Sequence, residues 1–326
     1  MGTALALRSD EYILPMHRNL GVFTVCDVDF GRLFAQLQGK KSGFTNGRDR
    51  SFHFGKDRVR NTPLCESAIV GIALGLSVRG MKSMVEMQFA DFAACGFNQI
   101  INNLAKIHYR WGQNADVVIR IPTGAGVQTG PFHSQSNEAW FFHTPGLKIV
   151  YPSNPIDAKG LLCAAFEDPN PYLFFEHKAL YRSITDDVPD EYYTLEVGKA
   201  KLLTTGNDLT IITYGMGVHW AKKILEKKGI SADLVDLRTL SPWDVETVKQ
   251  SVSKCSRVII LHEDNLIGGI GAEIAAWIVE NCFSSLDAPS IRVAALDTPV
   301  PFAKSLEENY LPEKRLAIAI DVIMAY

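Results

Sequence analysis

Residues 116–176 read DVVIRIPTGAGVQTGPFHSQSNEAWFFHTPGLKIVYPSNPIDAKGLLCAAFEDPNPYLFFE. Asp116 to Ile121 is a short apolar run closed by Pro122, and a glycine-rich loop, GAGVQTGPFHSQS, follows it. A short helix is predicted near Glu138–His143, a strand at Lys148–Tyr151, a helix at Pro155–Phe166 and a strand at Tyr172–Glu176. Apolar strands that alternate with helices at this spacing predict a parallel sheet covered on both faces.

The same rhythm extends upstream. Residues 66–79, ESAIVGIALGLSVR, place Ala68, Ile69, Ile72, Ala73 and Leu76 on one helical face. Lys82 to Phe89 reads as a strand, and 91–111 as one long amphipathic helix burying Phe92, Phe97, Ile100, Ile101 and Leu104. Downstream, residues 183–198, SITDDVPDEYYTLEVG, lose the periodicity and read as an interdomain linker. The pattern then restarts, with strands predicted at 209–213, 232–236, 257–261 and 290–294 and helices at 217–228, 244–253 and 270–283. A second, smaller α/β domain is expected there. The first 55 residues differ: 11–39 looks helical, and 40–55 is a basic loop with Lys40, Lys41, Arg48 and Arg50. Such a charge run is either a solvated surface loop or a wrap around an anionic group.

Composition bounds the function. The 326 residues exceed one ordinary core, and 47% hydrophobic with 21% charged residues is a globular balance. The net charge of −3 leaves no basic excess, which argues against nucleic acid as a partner. No stretch has the ~18–20 apolar residues that a membrane span needs, and the first residues make a poor secretory signal. The six cysteines form no Cys-x-x-Cys pair, so reduced, mostly buried thiols in a cytoplasmic setting are expected.

Two residues stand out as chemistry. Glu66 opens a helix after Asn61-Thr62-Pro63-Leu64-Cys65. A carboxylate there is either a dipole-stabilised cap or, if its apolar neighbours bury it, a tuned acid–base group. His133 sits in the glycine-rich loop after a parallel strand, where imidazole is either structural or placed for proton transfer. No Gly-x-Ser-x-Gly elbow accompanies Ser134, and neither a dinucleotide fingerprint nor a Gly-x-x-x-x-Gly-Lys-Ser/Thr loop is present. Nor is there a Gly-Asp-Gly stretch followed by Asn, so a magnesium diphosphate would need groups from another chain.

From Lys56 onward the chain resembles the β subunit of thiamine-diphosphate-dependent 2-oxoacid dehydrogenases, nearest the branched-chain (2-oxoisovalerate) type. The carriers are RVRNTPLCESAIVG, MVEMQFADF, FNQIINNLAKIHYRWG, RIPTGAG, HSQSNEAWFFHTPGLKIVYPSNPIDAKGLL, EDPNPYLFFEHKALYR and DLVDLRTLSPWD. Residues 1–55 resemble instead an internal stretch of the α subunit, through EYILPMHRNLGVF, RLFAQLQGK and GFTNGRDRSFHFG. The resemblance implies an α-like segment at 1–55, a transketolase-type pyrimidine-binding domain at 56–182 lacking its usual first strand and helix, the linker 183–198, and a transketolase C-terminal domain at 199–326. Each of the two domains is a three-layer α/β parallel sheet. It also suggests an internally deleted α–β fusion.

Residue by residue, Glu66 matches the glutamate that bonds the cofactor's aminopyrimidine, and His133 the histidine that faces the reacting carbon and assists acyl transfer to lipoate. Leu64, Gln88 and Phe92 match positions lining the pyrimidine; some relatives carry Tyr in place of Phe92. His17 and Arg18 match a pair meeting the diphosphate. Backbone carbonyls around Val118, Ala165, Asp168 and Asn170 match a potassium site. Magnesium ligands are expected from an α subunit. The implied partners are that α subunit, a lipoyl acyltransferase core and further copies of the chain. A pyruvate or acetoin dehydrogenase β chain is the alternative enzyme, and a non-catalytic assembly module the alternative class.

Overall fold

The computed structural model describes residues 21–24 and 59–326. Seven described strands form the first sheet: β1 (Gly21–Thr24), β2 (Val59–Asn61), β3 (Ser83–Glu86), β4 (Val117–Thr123), β5 (Lys148–Val150), β6 (Tyr172–His177) and β10 (Thr239–Ser241). Their order is β10-β5-β6-β4-β3-β1-β2, parallel throughout except for β10, which pairs antiparallel with β5. The second sheet contains β7 (Lys201–Thr204), β8 (Leu209–Thr213), β9 (Ala232–Asp236), β11 (Val258–Asn265) and β12 (Ile291–Ala295). Its order is β12-β11-β8-β9-β7, with only β7 antiparallel.

Central strands buried on both faces explain the unbroken apolar runs. All seven residues of β4, VVIRIPT, are buried, and so are all six of β6. The strand runs through Pro122 to Thr123, so the proline does not close it. The helices covering the sheets include α1 (Glu66–Val78), α2 (Ile107–Trp111), α3 (Glu138–Phe142), α4 (Pro155–Glu167) and the short α5 (Leu180–Ser183). In the second domain they are α6 (Met216–Lys228), α7 (Val245–Cys255), α8 (Ile270–Cys282), α9 (Lys304–Tyr310) and α10 (Glu313–Ile323). Caps follow local chemistry: the Asn154 side chain accepts the Asp157 N–H at 2.9 Å with Pro155 as the first helical residue. Asp244 likewise accepts the Thr247 N–H at 3.1 Å.

Several expectations need correction. Strand β1 lies inside the stretch predicted helical at 11–39 and occupies a place in the first sheet between β3 and β2; the rest of that stretch and the loop 40–55 lie outside the described residues. The single helix expected over 91–111 is a 3₁₀ segment (Ala90–Gly96), a π-type turn (Gln99–Leu104) and α2. On α1 the buried residues are Ile69, Val70, Ala73 and Ser77, whereas Ala68 and Ile72 are exposed. Both the 3₁₀ segment and the π-type turn pack on α1, so its buried stripe is rotated from the sequence-derived one. Cys163, Cys255 and Cys282 are buried thiols, but Cys65 and Cys95 are exposed.

The domains share one core. Ile119, Phe141, Tyr151 and Phe175 of the first belong to the same apolar cluster as Ile212, Leu240, Val252, Ile260 and Ile274 of the second. Polar contacts cross beside it: Ser153 Oγ donates to Asp236 at 2.5 Å, and the Tyr151 N–H to the Arg238 carbonyl at 2.8 Å. The loop following β4 and the end of β6 have the C-terminal domain as a neighbour, through Glu263.

Candidate active site

The carboxyl ends of β2, β3, β4 and β6 lie along one edge of the first sheet, where open α/β folds place their ligands. Glu66 begins α1, five residues after β2. Gln88 and Phe89 follow β3, and the 3₁₀ segment carries Phe92. Gly96, which ends that segment, sits against the Glu66 backbone; a Cβ there would lie 3.5 Å from the Glu66 carbonyl. The break in the expected helix thus brings the aromatic segment to the glutamate.

Glu66 is half-buried, behind exposed Leu64 and Cys65. It is therefore not enclosed by its apolar neighbours within this chain. The N-cap position is Cys65, which makes no side-chain capping bond. Among the described residues the Glu66 carboxylate has no hydrogen-bond or ion-pair partner. It does not cap the helix through its side chain.

His133 stands at the centre of an aromatic group. Its ring meets Phe89 edge-on at 5.1 Å and Phe92 edge-on at 5.7 Å, and those two phenyl rings are 5.9 Å apart. Lys178, immediately after β6, donates to the His133 carbonyl and lies 4.7 Å from the centre of the Phe89 ring. Burial lowers the Lys178 ammonium to about 8 against the opposing pull of Asp91, Glu263 and Glu307. Gln135 Nε2 donates to Asp91 Oδ1 at 2.8 Å, tying the histidine loop to the 3₁₀ segment.

Behind this edge lies a buried acidic group that sequence reading did not single out. Glu263 Oε2 meets His177 Nε2 at 2.5 Å, and Oε1 accepts the Ala125 N–H at 2.6 Å. Burial would raise the Glu263 carboxyl, but His177, the Ala125 N–H and Lys178 outweigh it and hold it below the usual range. Glu138 accepts the Tyr214 hydroxyl at 2.7 Å; burial and the neighbouring Asp264 push it well up. Burial likewise raises Asp264 to about 7. These groups come from both domains and are too far apart in sequence for any motif to join them.

The predicted potassium residues lie at the opposite edge. Val118 and Ala165 share an apolar cluster with Tyr172, whose hydroxyl donates to Asp168 at 2.8 Å. Lys148 and Asn170 also bond the Asp168 carboxylate, so its side chain is already engaged. Among the described residues no group of three His, Cys, Asp or Glu side chains is arranged to hold a metal. His17 and Arg18 lie outside the described residues.

Two α/β domains joined through a shared core, with a glutamate and a histidine on one edge of the first sheet, fit a transketolase-type chain. The family patterns agree: the transketolase pyrimidine-binding domain matches residues 26–183 and the transketolase C-terminal domain residues 198–315. The chain is 44% identical over 294 residues to the mitochondrial 2-oxoisovalerate dehydrogenase subunit beta 2 of Arabidopsis thaliana, covering 88% of this chain and 79% of that one. It is 48% identical over 269 residues to the 2-oxoisovalerate dehydrogenase subunit beta of Bacillus subtilis, covering 80% and 82%. The pyruvate dehydrogenase E1 component subunit beta of the same organism is 41% identical over 314 residues, covering 95% and 91%. A solved split gene transketolase, described as an inactive beta4 tetramer, shares the fold with a TM-score of 0.74 at 22% identity, over 99% of this chain and 96% of that one. The chain belongs to the family of 2-oxoacid dehydrogenase β subunits.

Proposed function

We propose that this chain is the β-type component of a thiamine-diphosphate-dependent 2-oxoacid dehydrogenase. It acts on branched-chain 2-oxoacids and, with an α-type chain completing the site, passes the acyl group to a lipoyl acyltransferase. The observation that carries this reading is Glu66, at the head of α1 with no partner among the described residues, on the same sheet edge as the Phe89–Phe92–His133 group. A carboxylate and an imidazole, lined by apolar Leu64 and aromatic rings, form a surface that fits an aminopyrimidine.

When bound, the cofactor supplies the carbon nucleophile for the 2-oxo group and an acceptor for the electrons released with carbon dioxide. This chain's own residues supply the rest. Glu66 holds or yields a proton at a pyrimidine ring nitrogen. Leu64 and Phe92 present apolar surface that keeps water from that bond, with Gln88 beside them. Leu64 is 69% exposed in the single chain, so enclosure needs a second surface. His133, fixed edge-on by two phenyl rings, moves a proton during acyl transfer.

In this reading magnesium comes with the α-type chain, and His17 and Arg18 meet the diphosphate. The carbonyls around Val118, Ala165, Asp168 and Asn170 take potassium. Residues 1–55 are an α-like segment fused to the pyrimidine-binding domain by an internal deletion, although the family match begins within it, at residue 26. Sequencing the source DNA across the codons for His53 to Lys56 tests that junction. A cytoplasmic, reducing setting suits the free thiols, and exposed apolar side chains such as Ile267, Phe283 and Ile318 favour self-association.

The pyruvate dehydrogenase relatives, similar over 95% of this chain, favour pyruvate as the second reading. Calorimetry of thiamine diphosphate and turnover assays, each with and without an α-type chain, test the proposal. Binding and turnover of 2-oxoisovalerate in preference to pyruvate, only with the α-type chain present, are expected. No binding in either condition would leave an assembly module.

A further inference from the structure

The loop 124–136 has an unusual backbone. Gly124, Gly126, Gln128 and Gly130 have φ values of 94°, 86°, 58° and 71°, so left-handed residues alternate with ordinary ones. This alternation turns successive N–H groups to one side and makes a concavity suited to an anion. Two carboxylates of the C-terminal domain fill it. Glu263 takes the Ala125 N–H at 2.6 Å. Glu307, on α9, takes the Gly126 N–H at 2.9 Å and the Gln128 N–H at 3.2 Å.

We propose that Glu307 is a positioning residue for His133, acting through the backbone of this loop; the inference rests on the acyl-transfer role assigned to His133 above. Glu307 is 3% exposed, and among the described residues its carboxylate bonds only these two amides. Glu263, by contrast, also pairs with His177. Glu307 is thus the cleaner handle. The two amides, bonded at 2.9 and 3.2 Å, share one buried carboxylate, which sets the loop's height above the sheet.

The far half of the loop is tied back to the near half. The Thr129 hydroxyl meets that of Ser134 and donates to the His133 carbonyl at 3.3 Å. Phe302, from the segment before α9, closes over Gly130, where a Cβ would lie 2.2 Å from its ring. The carboxylate, the turn and the histidine form one mechanical unit that crosses the domain boundary. A shift of α9 is transmitted to the imidazole through two hydrogen bonds and one turn.

The test uses Glu307→Ala and Glu307→Gln, the latter keeping one carbonyl acceptor. In the full chain, amide hydrogen exchange is followed in peptides spanning 124–136, with 117–123 and 172–177 as references. Glu307→Ala is expected to speed exchange at Gly126 and Gln128 by about 10-fold or more, leaving the references unchanged, because an amide that loses its partner opens locally. With an α-type chain added, decarboxylation is read with a soluble electron-accepting dye and acyl transfer with a free lipoyl domain. Glu307→Ala is expected to lose about 10-fold to 100-fold in acyl transfer, since small misplacements of a reacting group cost that much. The dye-coupled rate and the KM for the 2-oxoacid should stay near wild type, and Glu307→Gln should recover part of the loss. Unchanged exchange in Glu307→Ala overturns the clamp. Changed exchange with equal losses in both reactions, or with none, overturns the positioning role. Failure of the wild type in the dye assay overturns the functional reading instead, which keeps the two failures distinct.

Discussion

The effect of Asp264→Asn on stability should become more favourable as the pH rises from acid to alkaline. Asp264 is 6% exposed at the end of β11, beside Glu263 and near Glu138, and its carboxylate accepts the Asn265 N–H at 2.7 Å. Burial raises its carboxyl from the ordinary aspartate value of about 3.9 to about 7. Between these values the unfolded chain releases a proton that the folded chain retains. The folded state binds more protons, so stability falls as pH rises from about 4 to about 7 and then levels off. At about 1.4 kcal/mol per pH unit the loss reaches about 4 kcal/mol, an upper figure because Glu138 shares the same field. Asparagine keeps an acceptor for the Asn265 N–H and stays neutral in both states. Its extra buried N–H₂ group costs about 1–3 kcal/mol at every pH, which cancels when two pH values are compared. Urea midpoints of wild type and variant at pH 4.5 and pH 8 read the difference. The variant should gain about 3 kcal/mol on the wild type between the two, because part of the loss already lies below pH 4.5. The same offset at both values would show that Asp264 ionises freely and that the acidic group between the domains is not desolvated.

Arg120→Met should cost about 3–5 kcal/mol in urea unfolding, because it strands Glu176, now bonded by Arg120 at 2.8 and 2.5 Å, in the interior. A loss under about 1 kcal/mol would show that water reaches the pair. Gly124→Ala places a Cβ 2.2 Å from His177 Nε2 in a left-handed position, and a loss of about 2–4 kcal/mol in the same assay is expected; a neutral result would mean the loop relaxes freely. Limited proteolysis should cut first within 183–198, which has no regular structure beyond the end of α5, and leave a resistant fragment of 199–326 on gels. Uniform resistance would show that the shared core protects the linker as well.

Much of the fold was legible because its strands are apolar runs between turn residues. Strands β8 and β9 fall at 209–213 and 232–236, as their β-branched and leucine-rich runs predict. Short strands such as β10, only three residues long, carry no periodic signal, and β10 exists because it pairs with a strand of the other domain. The 91–111 stretch has helical spacing throughout, but spacing cannot register the close contact of Gly96 with the Glu66 backbone. Glu66 and His133 stood out in the sequence as candidates, and only the family resemblance gave them roles. The carboxylates that hold the histidine loop did not stand out, because Glu263 and Glu307 lie 138 and 181 residues from the amides they bond at Ala125 and Gly126.

Glu66 performs proton chemistry and does not merely begin a helix. Turnover of a 2-oxoacid by wild type and Glu66→Gln, each with an α-type chain and thiamine diphosphate, tests it most directly when melting temperatures are measured alongside. A loss of roughly 10²–10⁴ in turnover with an almost unchanged melting temperature is expected, because the carboxylate has no structural partner among the described residues. Turnover near wild type, with a lowered melting temperature, would make Glu66 a helix-start residue with no part in the chemistry.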